Sequence, residues 1–318
     1  MKKISIWVFL LFVVVKGYAQ QEAQYTQFMY NKLALNPAYA GSAEMPCISC
    51  IHRSQWLGFE GAPTSQVLNF QMPAFRKKVG LGASIAHDKI GPTNSYTASL
   101  MYAYRLKMEM GTLSIGMRGT LRSYQVKWSE LDATHSGDTD IPIGTTSRIF
   151  PNFGAGVYFD AERFYVGLSM PNMLNNDLSY STSISSNTDF GVARQHIYLM
   201  AGYLFDVGDN VKFKPAALLK YVSNAPLDLD LNATFIFMEK IWGGLSYRLG
   251  GDSVRGIGES IDLLLQYQIN NEIRAGIAYD FTLSKIREAS SGTVELQLHY
   301  CINKRQKENQ RLTNPRFF

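Results

Sequence analysis

Apolar and polar residues alternate with a period of two through much of this chain. In "EIRAGIAYDF", Ile273, Ala275, Ile277, Tyr279 and Phe281 fall on one face, and Glu272, Arg274, Gly276, Ala278 and Asp280 on the other. "TVELQLHYCI" sets Val294, Leu296, Leu298, Tyr300 and Ile302 against Thr293, Glu295, Gln297, His299 and Cys301. "KIWGGLSYRL" and "GTLSIGMRGTLRSY" behave in the same way, with Leu245 and Ile115 opposite Ser246, Arg248, Arg118 and Arg122. Such alternation puts one face of a strand in an apolar medium and the other in a polar one. Extending the reading predicts about fourteen strands, the remainder near 46–56, 64–72, 78–87, 94–105, 149–160, 162–170, 193–205, 211–221, 226–238 and 257–269.

The connections carry a second signal. Those built on "AFRKK", "KMEM", "AE", "VGDN", "EK" and "NN" are short. They alternate with longer ones: "LGFEGAP", "DKIGPT", residues 128–148 and 171–192, "LGGDSVRG" and "TLSKIREASSG", with "SNAP" a short exception. One end of the meander is trimmed and the other elaborated, as in outer-membrane barrels with short periplasmic turns and long external loops. A soluble sandwich of this many strands would carry Greek-key crossovers instead. The expected fold is therefore all-β, an antiparallel transmembrane β-barrel of about fourteen strands lying among outer-membrane lipids. An even strand count places both termini in the periplasm.

Composition agrees. The 18 Tyr, 18 Phe and 26 Gly suit short strands better than helices. Lys2, Lys3, the apolar run Ile4 to Val15 and the small residues Gly17 and Ala19 read as a secretory signal cut after Ala19. No Cys follows the cut, so no lipid anchor is expected. The implied organisation is a signal peptide over 1–19, an N-terminal segment over 20–45, a barrel over 46–303 and a basic tail over 304–318, with Lys304, Arg305, Lys307, Arg311 and Arg316. The net charge of +5 is modest and unclustered, so nucleic acid is not an expected partner.

Candidate chemistry is sparse. "GDS" at Gly251 to Ser253 is ordinary turn composition. His52 and Ser54 share one strand face, and some membrane-barrel hydrolases use such a pair. Residues two apart on a strand lie about 7 Å from each other, beyond hydrogen-bond reach of a nucleophile and its base. Cys47 and Cys50 point to opposite faces of a strand and cannot chelate a metal together. Cys47 and Cys301 sit near the same ends of the first and last strands, which makes them a candidate disulfide across the closing seam. Lys214 and Lys220 precede Asp228 and Asp230 on a neighbouring strand, a candidate lumen charge network. No cofactor, metal site or catalytic residue is expected.

The aperiodic stretch "QYTQFMYNKLALNPAYAGS", Gln24 to Ser42, resembles the opening signature of the PorP/SprF family of Bacteroidota outer-membrane proteins. The resemblance continues through "HRSQWLGFEGAPTSQ", "HDKIGPT", "YAYRL", "FPNFGAGVYF", "FYVGLSMPN", "RQHIYLMAGYLF", "KPAALLKY", "IWGGLSYR" and "GIAYDFTLS" to "NPRFF". The chain departs from the family at its cysteine pair and at "GTVELQLHY". The resemblance implies a non-enzymatic barrel working with the type IX secretion and gliding machinery. It also implies support for export or surface retention of large cell-surface proteins, adhesins among them, with the C-terminal domains of those proteins and periplasmic peptidoglycan-associated lipoproteins as partners. A passive channel or solute transporter is the alternative.

The opening stretch has three readings. It enters and plugs the lumen, it docks on a periplasmic partner, or it is a lead-in turned by Asn36, Pro37 and Gly41. Tyr25, Phe28, Tyr30, Asn36, Pro37 and Tyr39 are its candidate contact residues.

Overall fold

Most neighbouring strands in this sequence are joined by connections shorter than the roughly a dozen residues a parallel crossover needs, so they pair as antiparallel hairpins. A computed structural model of the protein has that architecture and describes residues 22–130, 144–177, 180–181, 187–188, 192–223, 225–250 and 258–302. The strands are β1 Cys47–Ser54, β2 Thr64–Ala74, β3 Val79–Ile90, β4 Thr93–Met108, β5 Gly111–Lys127, β6 Thr145–Ala161 and β7 Phe164–Met170. Next comes β8, His196–Tyr203, continued past Leu204 by Phe205–Gly208. The last six are β9 Val211–Val222, β10 Asp228–Phe237, β11 Ile241–Leu249, β12 Ser260–Gln268, β13 Ile273–Thr282 and β14 Thr293–Cys301. Each pairs with its chain neighbour, and β1 pairs with β14 from Cys47↔Cys301 to Ser54↔Val294, closing a 14-strand barrel. Closure leaves no free edge to template aggregation.

Side-chain parity fits the sequence pattern. Leu100, Leu245, Ile277 and Phe281 point outward and are 72%, 56%, 46% and 53% exposed, whereas Ser246, Arg248, Arg274, Asp280 and Glu295 are buried inside. A continuous outward apolar belt of this extent is incompatible with water as the outer medium. Leu245→Arg and Ile277→Arg are each expected to cost roughly 2–4 kcal/mol of barrel stability. Leu245→Phe should be near neutral. The folded fraction in urea-titrated detergent or lipid samples, read by heat-modifiable gel mobility, checks both.

One connection differs from expectation. β3 and β4 run further than the sequence pattern suggests and leave only Gly91–Pro92 between them, so "DKIGPT" forms a tall hairpin and not a long loop. Gly91 takes φ +51°, the left-handed geometry that a tight turn needs. The strand ends that bracket the longer connections 55–63, 128–144, 171–195, 250–259 and 283–292 still lie at one end, the long-loop end, with the short turns at the other. The signal segment, the "GDS" triplet and the basic tail lie outside the described residues.

Candidate functional site: a lumen filled by the N-terminal segment

Residues 22–46 run through the inside of the barrel from the long-loop end to the short-turn end, with one turn of α-helix, α1 (Lys32–Leu35), between the 3-10 turns Phe28–Tyr30 and Pro37–Tyr39. The segment lacks a strand period because it pairs with no strand as a ladder. Its backbone groups are satisfied partly by its own short turns, such as Asn36 N to Lys32 O at 2.8 Å, and partly by lumen side chains, as buried polar groups must be.

At the long-loop end, the Glu22 carboxylate accepts two hydrogen bonds from Arg122 Nη2, at 2.9 and 2.8 Å, and one from Asn172 Nδ2 at 2.9 Å. One turn deeper, both oxygens of the Glu295 carboxylate accept backbone N–H groups, from Thr26 at 2.9 Å and Gln27 at 3.0 Å. The Thr26 hydroxyl reaches Asp280 Oδ1 and Oδ2 at 2.8 and 2.7 Å. Arg53 ties these acids together, with Nη2 2.8 Å from Asp280 Oδ2 and Nη1 3.2 Å from Glu295 Oε2, and it also meets the Thr26 hydroxyl. All three charged side chains are at most 3% exposed. Gln266 Nε2 then donates to Gln27 Oε1 at 2.7 Å and to Gln297 Oε1 at 2.8 Å.

Below this polar clasp the contacts turn apolar and aromatic. Phe28 and Met29 bury against Tyr158, Tyr165, Tyr198, Met200, Leu218 and Leu264. Lys32 is buried in a tyrosine cage, its Nζ 3.5 Å from the Tyr165 ring centroid and within 5.3 and 5.8 Å of the Tyr39 and Tyr158 rings. A cation over ring faces is held by their quadrupoles, and Lys32 Nζ also donates to the Tyr158 hydroxyl at 3.3 Å. Tyr30 lies under Arg274 and Lys214, at 5.0 and 5.1 Å.

The exit is shaped by small residues. Asn36 accepts the Ala38 N–H at 2.9 Å, capping the turn Pro37–Tyr39, and donates from Nδ2 to Val157 O at 3.0 Å. Wall glycines let this turn lie directly on the strands. A Cβ at Gly116 would sit 2.3 Å from Ala38 N, and one at Gly80 only 1.8 Å from Ala40 O, so neither position has room for a side chain.

The sequence-predicted contact residues are thus all in the lumen: Tyr25, Tyr30 and Tyr39 half-buried, Phe28, Asn36 and Pro37 buried. Composition pointed to the aromatics. It missed Glu22, Thr26, Gln27, Lys32, Arg53 and Asp280; the Arg53–Glu295 contact depends on the closure register, which sets the two directly opposite. The charge network forms without Lys214. Lys220 Nζ lies 3.0 Å from Asp228 and 2.8 Å from Asp230, and Arg248 Nε lies 2.9 Å from Asp230. Lys214 faces Thr234, six residues further along the strand, and packs on Tyr30.

The outer face carries one polar row at the long-loop end. Ser54 Oγ and His52 Nε2 are 3.1 Å apart, because the two side chains lean together across a spacing their Cα atoms do not close. Contacts of 3.3 Å from His52 Nδ1 to Gln66 Nε2, 2.8 Å from Gln66 Oε1 to His87 Nδ1 and 3.2 Å from His87 Nε2 to Asn94 Oδ1 extend it. Gln66 Nε2 donates to His52 Nδ1, so His52 Nε2 carries the proton and donates to Ser54 Oγ, the tautomer that cannot serve the serine as a base. The N–H groups that follow the serine are already engaged: Gln55 with Pro63 O, Trp56 with Thr293 Oγ1 and Leu57 with Gly292 O. None of these three is free to stabilise an oxyanion. Cys50 turns to the same outer face, away from Cys47.

A closed, outward-apolar 14-strand barrel with a side-chain-filled lumen is a transmembrane barrel of the outer-membrane type. Residues 17–300 match the family described as type IX secretion system membrane protein PorP/SprF, and the chain belongs to that family, as a membrane component of type IX secretion. Among curated proteins none matches the sequence. Among solved structures, the Acinetobacter baumannii outer membrane protein Omp33 is similar at TM-score 0.47 and 10% identity, over 82% of this chain and 100% of that one. The CymD monoaromatic hydrocarbon channel is similar at TM-score 0.49 and 11% identity, over 87% and 94%. A Pseudomonas aeruginosa FadL homologue is similar at TM-score 0.46 and 13% identity, over 84% and 93%.

Proposed function

We propose that the protein is a closed, non-enzymatic accessory barrel of the type IX secretion and gliding machinery, and not a pore. In this reading it supports export or surface retention of large cell-surface proteins, engaging their C-terminal domains, and links to periplasmic, peptidoglycan-associated lipoproteins of the machine. The observation that carries it is the lumen, occupied from one end to the other by residues 22–46 through charged, aromatic and backbone contacts. A conducting barrel of this size would keep a water-filled interior.

Affinity isolation of the intact protein from native membranes tests the partner assignment. Co-purification of secretion-machine lipoproteins and of a large surface protein is the expected result, and recovery of the barrel alone would count against it.

Orientation follows from the loop rhythm, with the long-loop end outside the cell. The described chain then begins at the outer end of the lumen and ends, at Ile302, on the periplasmic side. A tag inserted after Asn176 should be reached by antibody on intact cells. Labelling only after permeabilisation would invert the barrel.

The engaged N–H groups beside Ser54 support the absence of hydrolytic chemistry. A fluorophosphonate probe should not label the purified protein. Labelling that disappears in Ser54→Ala and in His52→Ala would replace this reading with an enzymatic one.

A further inference from the structure

Three cysteines occur in the whole chain, and the fold sorts them. Cys50 faces outward from β1 and is free. Cys47 and Cys301 both face inward at the short-turn end, directly opposed in the β1–β14 register with their Cα atoms 4.1 Å apart. We infer that Cys47 and Cys301 form a disulfide that staples the barrel seam at the point where the lumen segment joins the wall.

The position gives the bond its purpose. The lumen segment continues directly into β1, the first strand of the seam. Any force that draws the segment out through the short-turn mouth is transmitted through Pro46 to the N-terminal end of β1. There it peels β1 from β14 one residue pair at a time, beginning at the mouth. The first contacts in its path are the hydrogen bond from Ile302 N to Pro46 O, 2.9 Å, and then the Cys47–Cys301 pair. A hydrogen-bonded ladder loaded from its end parts sequentially, whereas a covalent link at the first pair stops the parting before it starts. Beyond it, each strand pair is a hairpin already joined by its own connection. The seam is the one junction between barrel strands where no peptide loop holds the neighbours together, since β1 and β14 stand at opposite ends of the strand order.

The chemistry is accessible from the mouth. Cys301 is half-buried there, beside Glu272, Arg274 and His299, in a cavity open at the short-turn end. The Cys301 thiolate attacks a disulfide of a periplasmic oxidant protein to give a mixed disulfide. The buried Cys47 thiolate then attacks Cys301 Sγ, and the oxidant leaves as a dithiol carrying the two electrons and the two protons. Cys47 and Cys50 cannot pair in the folded strand, because residues three apart point to opposite faces. Strand pairing across the seam is therefore what selects the correct partner.

The same groups define the competing outcome. One ligand atom from each of Cys47, His299 and Cys301 lies within 4.8 Å of the others, a set that two free thiolates and an imidazole would offer to a zinc ion.

The experiment uses the full-length protein extracted from outer membranes. Denatured without reductant and treated with a maleimide-polyethylene glycol, each chain should gain one polymer, on Cys50, and three after reduction. Non-reduced tryptic mapping should link the peptide containing Cys47 to the one containing Cys301. The link should survive Cys50→Ser and vanish in Cys47→Ser. Urea unfolding of the oxidised barrel should move down by on the order of 1 M on reduction or in Cys301→Ser. Three polymers without reductant, stoichiometric zinc with free thiols, or a link through Cys50 would overturn the assignment. An unchanged urea midpoint after complete reduction would show that the bond does not hold the seam.

Discussion

Deleting Gln24 to Tyr30 is expected to convert a silent barrel into a conducting one. The wall strands and their closure do not depend on these seven residues for any ladder hydrogen bond, so the variant should still assemble and shift on heating in a gel. It loses the burial of Phe28 and Met29, roughly 1.5–3 kcal/mol each. It also leaves Glu295 without the two N–H groups it accepts, and Asp280 without the Thr26 hydroxyl. Water then enters beside Arg53, Asp280 and Gln266. In planar bilayers the intact protein should give no steady conductance and the deletion variant discrete open steps. If the same deletion stays silent yet loses secretion partners in affinity isolation, the segment acts by docking and the lumen is sealed by something else. If it stays silent and keeps both partners and export, the segment is a lead-in only.

The barrel is legible because strand parity is local. "EIRAGIAYDF" and "TVELQLHYCI" each declare their inner and outer faces within ten residues, and the structure keeps every assignment, from outward Ile277 and Phe281 to inward Arg274 and Glu295. Judgements that need a partner elsewhere in the chain fare less evenly. Lys220 opposite Asp228 follows from a short connection, which fixes register across one hairpin. Lys214 groups with them by sign of charge, yet six residues of extended strand carry it roughly 20 Å away. His52 and Ser54 look too far apart when measured from the backbone, and only their side-chain torsions bring them to 3.1 Å.

The route of the N-terminal segment is not written in any local pattern. Thr26 meets Glu295 across 269 positions, through a contact that exists only once the first and last strands have closed. No periodicity records such a contact. What the sequence does hold is a segment too apolar to leave in water, with glycines on the strands it comes to cover. Gly80 and Gly116 are weak strand residues by propensity, and only the approach of Ala40 and Ala38 accounts for them.

Arg53 is where a single substitution should do the most damage. Its guanidinium is the only cation in direct contact with both Asp280 and Glu295 among the described residues, and Glu295 is fully buried. Arg53→Met removes the positive charge and leaves two carboxylates facing each other in a dry interior. Breaking one side of a buried ion pair typically costs about 3–5 kcal/mol, because the remaining charge stays desolvated. Urea unfolding of Arg53→Met should show a loss of that size, and protease should reach the lumen segment near Tyr25 to Tyr30 that the intact barrel protects. Arg53→Lys should fall between, since a lysine supplies the charge but not the fork that reaches both acids. The combination Arg53→Met, Asp280→Asn, Glu295→Gln removes every unpaired charge and should recover much of the stability, because replacing a whole buried charged group is often close to neutral. Its lumen segment should remain loose, since an amide at position 295 offers one accepting oxygen where the carboxylate uses two to hold the Thr26 and Gln27 N–H groups. Wild-type stability in Arg53→Met would mean that the acids are already neutral in the folded barrel, and the clasp would then be a hydrogen-bonded contact with no electrostatic share.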